Sequence, residues 1–186
     1  VISEEVDGLI RLVDDLMLLV RSDAKQLILQ KKNLTLTPVL EQVLRLCQEH
    51  ARRAGISLVL EVPAAAEVSG DEIYLKRLFT NLLDNAIKFT ESGGKVTVHA
   101  EISKPGKVTV TVEDTGIGID PKTLASLGTR FYRADQARSK DGAGLGLSIV
   151  KAICDAHKGA IRFESALSRG TKVFVDLPLV ATTPFL

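Results

Sequence analysis

Three short segments hold the residue types that could do chemistry: Asn81-Leu-Leu-Asp-Asn85-Ala-Ile-Lys88, Asp114-Thr-Gly116-Ile-Gly118, and Gly142-Ala-Gly144-Leu145-Gly146-Leu. An asparagine amide oxygen is a neutral hard donor that suits Mg²⁺, a metal that keeps several waters and leans on substrate phosphates. Lys88, one turn beyond Asn85, can set a point charge against those phosphates. An ionised carboxylate such as Asp114 only accepts hydrogen bonds, so it pairs with an exocyclic amino group and rejects a keto oxygen, which favours adenine over guanine. Gly116 and Gly118 are expected to let backbone approach a flat ligand without Cβ obstruction. Gly142, Gly144 and Gly146 read as a mobile loop opening a helix whose N-terminus can hold phosphate, with Arg130, Arg133 and Lys140 adding charge.

Blander readings compete with each segment. Helical periodicity from Asp71 to about Phe89 puts Asn81, Asp84, Asn85 and Lys88 within an arc of roughly 100°. Leu75, Phe79, Leu82, Leu83, Ala86 and Ile87 fall opposite, so the polar arc could be a solvated face. Two asparagines one turn apart, however, are poor helix formers that a mere solvent face would not select. Asp114-x-Gly-x-Gly alone is a common strand-to-turn exit. The third segment superficially matches a dinucleotide fingerprint, but Arg133 to Asp141 is polar where that motif needs a strand. No Gly-Lys-Ser/Thr occurs, which excludes a Walker-type loop. The order of the three segments, at near-equal intervals, makes a nucleotide site the leading reading.

The elements that must position these residues follow from periodicity. Ile2, Val6, Leu9, Val13, Leu16 and Val20 recur at alternating spacings of four and three, the a/d rhythm of a coiled coil or bundle, so residues 1–24 read as a long helix seeking partner helices. A polar, basic stretch over 25–32 is a linker entering a short strand at Leu27-Ile-Leu29. Thr37-Pro38 looks like N-cap and N1 of a helix ending at Gly55. Alternation predicts strands at Ile56–Val62, Val96–Ile102 and Val108–Val112, with a turn at Ser103–Lys107 and a last hairpin of Ala160–Ser165 and Thr171–Leu177. Asp71 is expected to cap the asparagine-bearing helix, and Gly144 to His157 to form another. The glycine-studded stretch from Thr115 to Ala143 is too long for an ordinary connection and reads as functional.

Composition bounds the alternatives. The 186 residues are 45% hydrophobic, enough for one core with an appended element. The balance of 24 basic against 23 acidic residues gives no electrostatic footprint for nucleic acid or an acidic membrane surface. No apolar run approaches the roughly 20 residues of a membrane helix. Cys47 and Cys154 are isolated and fit two packed thiols in a reducing cytosol. The chain opens mid-helix on Val1, as a piece of something longer would.

Taken together, these residues resemble the catalytic, ATP-binding domain of sensor histidine kinases, whose fold is shared with gyrase-type and heat-shock chaperone ATPases. Asn81–Lys88 is similar to that family's N box, Asp114–Gly118 to its first glycine box, Phe131-Tyr132-Arg133 to part of its F box, and Gly142–Leu147 to its second glycine box. His157-Lys-Gly159 and Ser168-Arg-Gly170-Thr171 match trailing features. The resemblance implies an α+β two-layer sandwich of the Bergerat type: a mixed β-sheet covered on one face by about three helices, preceded by the long N-terminal helix. It implies residues 1–24 as the second helix of a dimerisation and phosphotransfer bundle, 25–32 as linker, 33–178 as the catalytic domain and 179–186 as a tail.

By the same resemblance, Asn85 binds Mg²⁺, Asp114 binds the adenine amino group, and Lys88 and Arg133 contact phosphates. Asn81, Gly116, Gly118, Tyr132, Gly142, Gly144, Leu145 and Gly146 complete the ATP site. The implied reaction passes the γ-phosphoryl group of Mg-ATP to a histidine on the bundle and then to a response-regulator aspartate, in the cytoplasm of a dimeric parent whose membrane anchor, if present, lies upstream. Two departures stand out. Gly128 and Thr129 occupy positions where the F box usually has phenylalanine, which helps couple the lid to the bundle, and an acidic residue. The acceptor histidine belongs upstream of Val1, and the three histidines present do not replace it: His50 falls in a helix, His99 in a strand, and His157 near a helix C-terminus, where a cation is favourable.

Two other functions compete with this one. An ATP-hydrolysing conformational module of the same fold carries a water-activating glutamate one turn before the magnesium asparagine, where this sequence has Asn81, and Asp84 is a poor substitute. A nucleotide-degenerate dimeric scaffold is disfavoured by the intact Asn85, Asp114 and glycine loop.

Overall fold

The computed structural model describes residues 2–62, 66–104, 106–127 and 144–180. The long opening helix, α1, runs Ile2–Asp23. The expected seam lies outward: Val6, Leu9, Val13, Leu16 and Val20 are all exposed. A different stripe, Leu12, Leu18 and Leu19, packs on the core, and Asp15 forms an ion pair with Arg77. The helix therefore packs on its own domain through one stripe while presenting the heptad seam on another.

A small antiparallel sheet follows, made of β1 (Lys32–Thr35) and β3 (Glu67–Gly70), in register from Lys32 opposite Gly70 to Thr35 opposite Glu67. This corrects two expectations. The strand anticipated at Leu27–Leu29 lies a few residues later, and β3 was not anticipated at all. Neither strand shows usable alternation, because Val68 is the one apolar residue of β3 and β1 is largely polar.

Helix α2 spans Leu36–Ala54 and ends on Gly55 in the left-handed conformation, as its glycine predicted. Its start differs from the expected Thr37 cap. Thr35 is the N-cap residue without a side-chain cap bond, and the Leu36 amide donates to Ala66 O at 2.9 Å. Pro38 falls in the first turn, where a missing N–H is harmless. Helix α3 (Glu72–Phe89) starts where Asp71 predicts, the carboxylate accepting from the Ile73 and Tyr74 amides.

The main sheet has the order β2-β4-β5-β7-β6, formed by β2 (Ser57–Glu61), β4 (Lys95–Lys104), β5 (Lys107–Asp114), β6 (Ala160–Ser165) and β7 (Thr171–Pro178). Only β2 runs parallel to its neighbour, so the sheet is mixed. Period-two alternation turns Val96, Val98, Val108, Val110, Val112, Val175 and Leu177 into the core. Thr97, His99, Thr111, Glu113 and Lys172 line a shallow hollow on the other side of the sheet. The buried faces of α2, α3 and α5 (Gly146–Ala156) complete the core, giving the expected two-layer sandwich. Within the stretch read as irregular, α4 (Pro121–Ser126) is capped by Asp120, whose carboxylate accepts from the Lys122 and Thr123 amides at 3.0 Å each. Among the described residues, no helix is long and apolar enough to cross a membrane.

Candidate nucleotide site

Helices α3 and α5 run antiparallel, so the asparagines of one meet the first turn of the other. A Cβ added to Gly146 would lie 3.4 Å from Asn81 Oδ1 and 3.7 Å from Asn85 Nδ2, filling the gap between the helices. Gly144, at φ +74°, takes the left-handed turn just before α5, so this helix begins at Gly146 rather than Gly144. Leu145 at the N-cap is buried and has no side-chain oxygen to offer the first-turn amides. Ser148 Oγ turns back to donate to Leu145 O at 2.7 Å. An N-terminus built this way suits an external anion.

Asn81 and Asn85 are both half-buried. The Asn81 amide nitrogen donates to Arg77 O at 3.0 Å, which orients its Oδ1 toward α5. Asp84 looks elsewhere: its Oδ1 lies 3.4 Å from His50 Nδ1 on α2. Lys88 Nζ lies 5.5 Å from the centre of the Phe89 ring, half-buried at the C-terminal end of α3.

Asp114 ends β5 and is nearly buried, at 9% exposure. Its Oδ1 accepts from the Gly116 amide at 2.8 Å and the Thr171 amide at 3.2 Å. Burial raises this carboxyl above its ordinary 3.8, and the two backbone donors oppose the shift. Both bonds fall on Oδ1, and among the described residues Oδ2 has no partner. The glycines of this loop have a use that the sequence reading missed. A Cβ on Gly116 would come within 2.2 Å of Phe89 O, and one on Gly118 within 1.9 Å of Ala166 O. Both are demanded by the protein's own backbone, whatever else approaches them. Gly170 is held in the same way, its added Cβ falling 1.9 Å from Asp114 O. The β6–β7 turn thus braces the Asp114 loop, and Ser165 Oγ joins them by accepting from the Ile119 amide and donating to Gly170 O.

The expected lid residues Gly128, Thr129, Arg130, Phe131, Tyr132, Arg133, Lys140 and Gly142 lie outside the described residues. So does the tail from residue 181. Among the described residues no group of three or more His, Cys, Asp or Glu side chains could hold a metal. One or two amide oxygens without a carboxylate cage fit a magnesium ion that arrives on phosphates, and do not fit a resident structural metal. Cys47 and Cys154 are buried and unbridged, with thiols pushed up to about 12 by burial, and so are inert packing groups.

His157 corrects another expectation. It is not a surface cation stabilising a helix end but a buried group at 2% exposure. Its Nε2 accepts from the Asp71 amide at 3.0 Å, and its Nδ1 donates to Ile153 O at 2.8 Å. Burial holds its pKa below the ordinary 6.5, so the ring is a neutral imidazole with both nitrogens committed. The apolar residues on both sides of it, Ile153 and Cys154 before and Ala160 and Ile161 after, were the available signal.

A mixed sheet backed by three helices, with an asparagine pair facing a glycine-opened helix, defines the class of nucleotide-binding sandwich. The comparisons agree. The family model described as "Histidine kinase-, DNA gyrase B-, and HSP90-like ATPase" matches residues 70–181. The sensor histidine kinase CusS of Escherichia coli is 37% identical over 177 residues, which is 94% of this chain and 36% of that protein. A mycobacterial sensor histidine kinase, MprB, superposes with a TM-score of 0.73 at 34% identity, covering 80% of this chain and 98% of that one. Full-length ShkA, solved in complex with AMPPNP, superposes with a TM-score of 0.84 at 31% identity over 95% of this chain and 37% of its own. The chain belongs to the histidine kinase-, gyrase B- and HSP90-like ATPase family, within its sensor histidine kinase branch. It spans about a third of the length of the curated relatives it matches.

Proposed function

We propose that this chain binds Mg-ATP between α3, the Asp114 loop and the first turn of α5, and donates the γ-phosphoryl group to a histidine on a helical bundle. The observation that carries the reading is the convergence of Asn81 and Asn85 with Gly146, together with a nearly buried Asp114 whose Oδ2 has no partner among the described residues, on the loop that meets Phe89 at the end of α3. Asp114 would accept from the adenine amino group through its carboxylate, whose other oxygen is already held by the Gly116 and Thr171 amides. Asn85 would hold the metal. Bound magnesium would neutralise charge on the phosphate oxygens. Lys88 and the first-turn amides of α5 would position the phosphates, and Tyr132, Arg133, Gly142 and Gly144 would complete the ATP site.

Little covalent work falls to such a domain, since positioning and charge neutralisation dominate phosphoryl transfer. Hydrolysis is a less favoured reading for a specific reason. Asn81 cannot take a proton from water, and Asp84, the nearby carboxylate, is paired with His50. None of the three histidines is placed as an acceptor either. His50 pairs with Asp84, His99 Nε2 lies 3.6 Å from Glu101 on the open sheet face, and His157 is buried.

The exposed seam of α1 supports residues 1–24 as one helix of a dimeric phosphotransfer bundle, with 25–32 as linker, 33–178 as catalytic domain and 179–186 as tail. Homodimerisation through that seam, a response-regulator aspartate as the final acceptor, and a cytoplasmic site of action belong to the same reading. To test it, the chain is incubated with Mg²⁺ and γ-labelled ATP, with and without a separate helix bearing the acceptor histidine. Label stable to alkali but not acid is expected on the added helix. Such label on the 186-residue chain alone, or rapid release of free phosphate, would refute the assignment.

A further inference from the structure

Nothing in the nucleotide chemistry calls for Asp71 or His157, yet both are buried and every side-chain polar atom they own is hydrogen-bonded. Asp71 Oδ1 caps α3 through the Ile73 and Tyr74 amides. Its Oδ2 accepts from the Gln30 amide at 2.8 Å, which ties down the segment between α1 and β1. Its own amide donates to His157 Nε2, and its carbonyl accepts from the Leu75 amide. His157 in turn holds the last turn of α5 through Ile153 O. Lys31 Nζ reinforces the junction by donating to Ala156 O at 3.0 Å, and Lys32 pairs with Glu72 at 2.8 Å. Gly70 leaves the room: a Cβ there would fall 2.7 Å from Leu75 Cδ1 and 3.3 Å from His157 Cδ2.

This junction sits at the end of the α3–α5 pair remote from Asn85 and Gly146, about 21 Å away along α3 and about 16 Å along α5 at 1.5 Å per residue. Two rigid antiparallel helices pinned at one end have their axial register fixed at the other. We propose that Asp71 and His157 are positioning residues that set the register of α3 against α5, and that the Gln30 bond makes this register answer to the segment joining α1 to the domain. A displacement of that segment pulls on the Asp71 carboxylate, hence on the α3 cap and the His157 bond, and shifts Asn85 relative to the first turn of α5. The inference rests on the nucleotide-site reading above.

Three variants of the whole chain test it, each measured for thermal unfolding and for Kd of a fluorescent ATP analogue with Mg²⁺. His157→Asn keeps a donor for Ile153 O but loses the acceptor for the Asp71 amide, whereas His157→Gln can place its amide oxygen near the Nε2 position. Gln30→Pro deletes the donor to Asp71 Oδ2 from an exposed residue, and also fixes φ there. His157→Asn is expected to weaken nucleotide binding about tenfold at a temperature well below its own melting point, with recovery in His157→Gln, and its melting temperature should fall because the Asp71 amide is stranded. Gln30→Pro is expected to weaken binding threefold or more with little change in melting temperature. Unchanged affinity in Gln30→Pro overturns the coupling to the connecting segment. Equal affinity in folded His157→Asn and His157→Gln overturns the positioning role. Should His157→Asn not fold, Gln30→Pro still decides, and failure of the wild-type chain to bind the analogue indicts the nucleotide-site reading instead.

Discussion

At the Asp71–His157 end of the α3–α5 pair, carboxylate, amides and imidazole are all hydrogen-bonded and close to fully buried. At the Asn85–Gly146 end the same two helices meet half-buried amide groups, an N-terminus with no side-chain cap, and a gap that one methyl group would fill. One end is finished by the protein itself; the other is complete only when something else supplies the partners. Half-buried polar groups of this kind are satisfied by water, and a ligand that replaces the water meets donors and acceptors already in place. Substitutions at the open end should therefore act on binding without loss of stability, and those at the closed end on the packing of the junction and on binding only through the register of the two helices.

The sharpest separation is expected at the open end. Asp114→Asn keeps an oxygen for the Gly116 and Thr171 amides but loses the charge, and should weaken adenine nucleotide binding by about 10- to 100-fold, the equivalent of one charge-assisted hydrogen bond. Stability should move in the opposite sense. Because burial raises the folded-state pKa of Asp114, its stabilising contribution is present below about pH 3.8 and lost as pH rises through the folded value, so at neutral pH the ionised group burdens the fold. Denaturant unfolding of the variant at pH 7 should show unchanged or increased stability, and a marked loss would break the contrast.

Next in size is His157→Leu at the closed end. It strands the Asp71 amide in the interior and should cost about 1–3 kcal/mol, read by urea unfolding. A smaller effect comes from pH. The folded state resists protonating His157 while the unfolded chain takes up a proton near pH 6.5, so stability present above that value is lost as pH falls below it. Comparing unfolding at pH 7.5 and 5.5 should show the loss, and His157→Gln should flatten it. Smallest of all, Cys47 and Cys154 should fail to react with a thiol reagent in the native chain at pH 8 and react once it is unfolded.

The open end was the more legible of the two in the sequence. Asn81, Asn85 and Asp114 advertise themselves because they are costly choices for a helix face and a strand end, and their chemistry is local to each residue. The five-stranded sheet was legible for a related reason, as alternation in Val96–Ile102 and Val108–Val112 reports one buried face. The closed end was hidden because its meaning lies in contacts across long separations. Asp71 reads correctly as a cap, but its bond to Gln30 does not show in any spacing, and His157 looked like a helix-end cation until its neighbours enclosed it. Strand β3 escaped because Glu67-Val-Ser-Gly70 carries one apolar residue, and its partner strand supplies the rest. The glycines at 116 and 118 were legible as necessary, but the close approach of Phe89 O and Ala166 O to them was not.

The central claim is that the open end is a magnesium-dependent adenine nucleotide site. Titration of a fluorescent ATP analogue, with Mg²⁺, into the wild-type chain, Asn85→Ala and Asp114→Asn tests it most directly. Saturable binding by the wild type, competed by ATP and not GTP and abolished or greatly weakened in both variants, is the expected result. Unchanged affinity in both variants would contradict it.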